Sequence, residues 1–259
     1  VTVATAIFLA FLVVVFLFSV GFQILGHHVG ARWRAHGRGG YSESTSAIQT
    51  SLFALLGLLI AFTISGGENR LDARRHLIVE EANAIETAYL RLDLLPPAAQ
   101  PALREMFRRY TEARIAYFRQ LAHLDEAQPL HDRAAELQRE IWTAATGAAR
   151  ETSDLPAALL TLPAINAMID VTTARDAALR THVPLAMFAL LLLLAFACAV
   201  LAGTEMSKQA RPSPFHVLAF AGTLALTCYV IVNIELPRIG FAPLGPIDAL
   251  LAQVRQRMG

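Results

Sequence analysis

Residues 1 to 26, VTVATAIFLAFLVVVFLFSVGFQILG, contain no charged side chain. Few folds can accommodate such a run. A helix needs about 20 apolar residues to cross the hydrocarbon core of a bilayer. A secretory signal would carry a basic region followed by an apolar run of only about 7–15 residues, so this segment reads as a retained span. Three further apolar blocks follow, at Ala47 to Ser65, Val183 to Thr204 and Pro214 to Ile234. Apolar residues make up 55% of the chain and charged residues 17%, with a mean hydropathy of +0.45. Soluble domains hold about 45–50% apolar and about 25% charged residues. The excess is concentrated in these blocks, which marks an integral membrane protein.

Residues 66 to 182 follow a different rule. Leu71, Ile78, Ala82, Ile85, Tyr89 and Leu92 recur at helical spacing and trace one apolar stripe. Asp72, His76, Glu80, Asn83, Thr87 and Arg91 occupy the opposite face. Pro96 and Pro97 end this pattern. Further helices are predicted from Pro101 to Leu124 (Leu103, Phe107, Tyr110, Ile115, Phe118), from Pro129 to Arg150 (Leu130, Leu137, Ile141, Trp142) and from Pro156 to His182 (Leu159, Leu162, Ile165, Ile169, Val171). Proline at each start is cheap, because the first N–H groups of a helix have no partner within it. Amphipathic helices with short connections read as an antiparallel bundle.

The expected fold class is therefore an all-α integral membrane protein: four transmembrane helices with an inserted helical-bundle domain between the second and third spans. Residues 1–65 carry the first two spans and a short basic loop, 66–182 the extramembrane bundle, 183–234 the last two spans, and 235–259 an amphipathic tail. No proline separates the second span from the first bundle helix, so one helix is expected to run through Gly66 and Gly67. Charge begins at Glu68 because the lipid ends there. The segment Ile247 to Met258 is expected to lie on the membrane or clasp a neighbour.

The stretches GLLIAFTIS (57–65), Arg70, the pair Arg74 and Arg75, EANAIETAYLRLDLLP (81–96), INAMIDVTTARDAA (165–178) and PRIGFAPL (237–244) resemble the bestrophin-like family of mostly bacterial membrane proteins. The resemblance implies four membrane helices with a helical domain after the second, in a bacterial inner membrane. By more distant analogy with true bestrophins it implies a homo-oligomer, of which a pentamer is one form, with an anion-conducting pore on its axis. The dense acidic run of calcium-responsive bestrophins has no counterpart here, so calcium gating is not carried over.

Catalysis finds no foothold. The sequence contains no nucleophile elbow, paired-cysteine, zinc-protease or phosphate-loop pattern, and no cofactor is implied. GRGG at 37–40 follows no predicted strand and reads as a flexible loop. His27, His28 and His36 are read as solvated or interfacial within a loop spanning 27 to 46. His76 and Glu80 stand one helical turn apart, a spacing that suits a metal or an ordinary wet i,i+4 pair. Cys198 and Cys228 fall inside apolar blocks and read as small packing residues. A net charge of +1 gives no basis for nucleic-acid binding. The bundle carries 14 arginines against 17 acidic residues, so any attraction of anions must be local.

Permeation has more to work with. Thr50, Ala54, Gly57, Ala61 and Ser65 form a stripe of small or weakly polar side chains along the second span. They are candidates to line an axial pore, or, equally, to let membrane helices approach closely. Phe53, Leu56, Ile60 and Phe62 are candidates for a narrow apolar collar. Arg70, Arg74 and Arg75 are candidates for a ring of positive charge that concentrates small inorganic anions at a mouth; snorkelling, or ion pairs with Asp72 or Glu81, is the alternative. Asn233, Glu235, Pro237 and Arg238 close the fourth span as an interfacial anchor or cap. The short basic loops put the bundle outside the cell, whereas the bestrophin analogy puts it in the cytoplasm. The leading reading is an oligomeric anion channel. A membrane-anchored sensor or scaffold is the alternative, and a secondary transporter lacks the expected inverted repeat.

Overall fold

The computed structural model describes residues 2–36, 43–121, 124–151, 155–208, 213–236 and 245–259. Among them the chain is entirely helical, without strands: α1 (Thr2–Ala35), α2 (Glu43–Arg91), α3 (Gln100–Gln120), α4 (Leu124–Glu151), α5 (Leu155–Arg180), α6 (Leu185–Met206), α7 (Pro214–Glu235) and α8 (Gly245–Arg257). Among the described residues four helical stretches are long and apolar enough to cross a membrane, within Ala6–Ala35, Ser46–Leu94, Pro156–Met206 and Pro214–Glu235. The helix through Gly66 and Gly67 is continuous to Arg91, and a 3-10 turn over Leu92–Leu94 follows before Leu95 turns extended ahead of Pro96. Contacts divide the chain into two compact units, Val1–Asn69 with His182–Ala242, and Arg70–Thr181 with Pro243–Gly259.

In the first unit α1 packs against both α6 and α7. The core joins Val15, Leu56, Leu191, Ala195, Leu224, Ala225 and Ile231 with both cysteines, which are buried and unpaired. The α1–α6 contact is set by glycine. A Cβ on Gly26 would overlap the carbonyl of Val200, and one on Gly203 would overlap the carbonyl of Gln23. Lipid gives helices no hydrophobic reason to associate, so this close backbone approach supplies the dispersion contacts that hold them. Residues 27 to 35, expected as loop, instead extend α1. They contain no proline, Gly30 sits against Ser207 and Thr204, and Arg32 and Arg34 complement the negative end of the helix. The GRGG segment and the PRIGFAPL segment lie outside the described residues.

The second unit buries the expected stripe of α2 in full: Leu71, Ile78, Ala82, Ile85, Tyr89 and Leu92 are all inside. Leu103, Phe107, Tyr110 and Phe118 of α3, Leu137 and Ile141 of α4 and Ile165 and Met168 of α5 complete the core. Each large side chain buried there contributes about 1.5–3 kcal/mol. Two expected core residues, Trp142 and Leu159, are exposed instead. Helix α4 starts ahead of Pro129, which lies inside it.

The C-terminal helix also departs from expectation. Rather than lying free for a membrane or a neighbour, α8 buries Leu251, Val254 and Met258 in this core. Tyr89 Oη and Arg108 Nε both donate to the Met258 carbonyl, at 2.9 and 3.2 Å. Arg255 and Arg257 pair with Glu112 and Glu86, each at 2.8 Å.

Candidate pore-lining helix and buried charge network

Helix α2 is the least covered of the candidate spans: 11% of its most apolar window is buried, against 39% for α7. The uncovered face carries the small-residue stripe together with Ile48, Leu55, Leu58 and Phe62, which are exposed as well. Thr50, Ala54, Gly57, Ala61 and Ser65 are all exposed, and nothing lies within 4 Å of the position a Gly57 Cβ would take. The Thr50 hydroxyl donates to the Ser46 carbonyl at 3.0 Å, a bond within the helix that leaves its methyl and oxygen lone pairs outward.

The collar candidates do not share that face. Leu56 is buried in the core of its own unit, and Phe53 and Ile60 pack partly buried against the same cluster. Phe53 meets Phe220 edge-on at 6.1 Å. The reason is helical phase. Leu56 points into the core of its unit, about 100° round the helix from Gly57 and about 140° from Ala61, while Phe53 and Ile60 lie on the flank between that core and the stripe. Of the four, Phe62 alone is exposed.

The three arginines also separate. Arg74 is buried and donates from Nε to the Ala178 carbonyl at 3.2 Å and from Nη2 to the Thr181 carbonyl at 2.7 Å. It therefore closes the C-terminus of α5, where unpaired carbonyls and the helix dipole favour a cation; a position on a mouth ring does not fit this burial. Arg75 pairs with Asp72 at 3.2 Å on a wet face, and Arg70 is half-buried. His76 and Glu80 form an exposed i,i+4 pair at 3.1 Å. Among the described residues no group of three or more His, Cys, Asp and Glu side chains is arranged to hold a metal. Glu235 accepts from the Val183 N–H at 2.9 Å, a structural tie at the start of α6.

The second unit contains a polar centre that the sequence reading did not single out. Glu81 of α2 is 0% exposed and Arg114 of α3 is 1% exposed. Arg114 Nε donates to Glu81 Oε1 at 2.6 Å, and Arg175 Nη1 of α5 donates to Oε2 at 2.5 Å. Arg114 also reaches Asp176 at 3.3 Å, and His131 Nε2 of α4 lies 3.1 Å from the same carboxylate. Both guanidinium groups lie over the Phe118 ring, at 4.7 and 3.4 Å from its centre, where the ring quadrupole favours a cation. Burial alone would push the Glu81 carboxyl up. The charges and hydrogen bonds of Arg114 and Arg175 outweigh it and hold the group below its ordinary value of 4.5. Beside it, burial pushes the Tyr110 phenol up to about 12, and its oxygen bonds Thr172 at 2.9 Å and Gln138 at 3.1 Å. Apart from His131 Nδ1, which has no hydrogen-bond partner among the described residues, these donors and acceptors are committed to one another, and the cluster joins α2, α3, α4 and α5.

A family model for the bestrophin-like domain matches residues 13–246. The chain belongs to the bestrophin-like family. Crystal structures of a bacterial bestrophin homolog from Klebsiella pneumoniae share the fold. One, carrying a single substitution, superposes with a TM-score of 0.70 at 15% identity, covering 95% of this chain and 98% of that one. A second structure of that homolog gives 0.69 at 15% identity, covering 95% and 96%. None of the curated proteins matches the sequence.

In this bestrophin-like chain, the motif segments 81–96 and 165–178 meet at the charge network: the first supplies Glu81, the second Thr172, Arg175 and Asp176. Arg114 and His131, from α3 and α4, carried no comparable signal. An arginine falling in phase with Phe107 and Phe118 on an apolar face was the available clue.

Proposed function

We propose that this bestrophin-like protein is the subunit of an oligomeric channel, a pentamer by analogy with bestrophins, that passes small anions along its symmetry axis. The observation that carries the reading is the small-residue stripe of α2, where Thr50, Ala54, Gly57, Ala61 and Ser65 are all exposed among the described residues. Packing four membrane helices leaves no aqueous route within one subunit, so several chains must each contribute a helix. Small, weakly polar side chains then leave room for a hydrated ion. Phe62, beside this face and exposed, is the remaining candidate for an apolar narrowing. Arg70 and Arg75 remain candidates to concentrate anions at a mouth. Residues 66–182 form an inserted bundle outside the bilayer, and the membrane is the bacterial inner one.

Reconstitution in liposomes tests this. Anion flux from the wild-type protein, blocked by Gly57→Trp with the oligomer intact, is the expected result. Absence of flux across voltage and pH, or a monomeric protein in bilayers, removes the axial conduit. Labelling of a Glu126→Cys variant from each side of the membrane decides which compartment holds the bundle.

A further inference from the structure

Helix α1 carries a line of polar side chains at membrane depth, Ser19, Gln23 and His27, at successive i,i+4 positions on one face. Ser19 and Gln23 are 0% and 1% exposed within a single chain. Neither lipid nor a neighbouring subunit can reach them. Ser19 Oγ, Gln23 Oε1 and His27 Nδ1 have no hydrogen-bond partner among the described residues. The Gln23 amide nitrogen donates to the Val217 carbonyl of α7 at 3.3 Å and to the Ser19 carbonyl at 3.4 Å. This fixes the amide orientation, because the flipped form would set two acceptors against each other. The oxygen is thus left needing a donor in a place where an unsatisfied polar atom costs about 1–3 kcal/mol or more.

We infer that this seam of α1, α6 and α7 binds ordered water molecules that bridge Ser19 Oγ, Gln23 Oε1 and His27 Nδ1. The chemistry selects the ligand. No charged residue occurs in 1–31, 185–204 or 214–234, and Glu205, which follows on α6, is paired with Lys208, so neither a carboxylate to neutralise a cation nor an arginine to hold an anion faces these atoms. The three atoms ask for a group that both donates and accepts, and water does so with about three bonds each. Gly26 and Gly203 close the α1–α6 side by backbone contact, which leaves the α7 side, marked by Val217, for the waters. Eight residues of helix span about 12 Å, under half of an about 30 Å hydrocarbon core. The seam is therefore a buried hydration site inside each subunit and not a crossing, and it is independent of any axial pore.

Water-edited solid-state NMR on the full chain in lipid bilayers tests the assignment. The Gln23 side-chain amide is expected to gain polarisation from water as fast as that of exposed Gln253, and a rate as slow as the buried Leu191 and Ile231 methyls overturns the site. In Gln23→Leu, which keeps the volume and removes one anchor, the Ser19 and His27 signals are expected to slow toward the Leu191 rate. Unchanged signals in that variant overturn the bridging arrangement.

Discussion

Glu81 and Arg114 share a 2.6 Å hydrogen bond between two side chains from which solvent is excluded. The same carboxylate holds Arg175. Moving one carboxylate out of water costs several kcal/mol, which only good geometry and full pairing offset. Glu81→Gln keeps the shape and removes the charge, leaving two buried guanidinium groups facing a neutral amide. The expected loss is about 3–5 kcal/mol of unfolding free energy, read by denaturant unfolding of the purified protein. A loss under about 1 kcal/mol would mean that Asp176 beside Arg114 and the Phe118 ring beside both arginines compensate for the lost carboxylate.

The same pairing has a pH consequence. The Glu81 carboxyl is lowered in the folded state from an ordinary value of 4.5. A lowered group adds stability above its unfolded value and loses it as pH falls through the folded one. Stability from this source is therefore level above about pH 5 and declines on acidification below about 4.5. Glu81→Gln should flatten that acid limb of the unfolding curve. An equally steep decline in the variant would assign the acid sensitivity to other carboxylates.

Arg74 and Arg75 are neighbours in sequence with unlike roles. Arg74→Gln removes both donors that close α5 and should cost about 1–3 kcal/mol, since buried carbonyls lose a charged partner. Arg75→Gln breaks an exposed i,i+3 contact with Asp72 and should change unfolding by less than about 1 kcal/mol. If Arg75 does attract anions, its variant instead lowers flux at low ionic strength and recovers as salt screens the charge. Thermal unfolding and flux measured on the same two preparations separate these effects.

Apolar periodicity made most of this architecture readable. The stripe from Leu71 to Leu92 was legible because burial on one face leaves a period of three to four residues in the sequence. What escaped was whatever depended on partners distant in sequence. Arg114 reads as a surface charge until Glu81 and Arg175 are brought to it from other helices. Leu56 and Phe62 look alike as collar residues until packing against α6 and α7 sets the phase of α2. Taking residues 27–35 for a loop also hid the Gly26–Gly30 spacing and made His27 seem solvated. The arginine-rich, glycine-containing composition resembled a loop, while the helix continued because it buries Gly30 against α6.

Gly203 and Gly57 test the contrast between a packed and an uncovered small residue. A Cβ at Gly203 would overlap backbone atoms of Gln23 and His27, neither of which can rotate away. Gly203→Ala must therefore part α1 from α6, and a loss of about 1–3 kcal/mol with a lower melting temperature in detergent is expected. At Gly57 the added methyl meets open space within the subunit. Helix propensity then favours alanine by up to about 1 kcal/mol, so Gly57→Ala should leave the subunit as stable as before or slightly more so. If α2 lines the axis, the extra methyl narrows the conduit once per subunit, so single-channel conductance falls while melting temperature does not. Unaltered conductance in Gly57→Ala and Gly57→Leu would assign the stripe to lipid or to a neighbour, away from the permeation path.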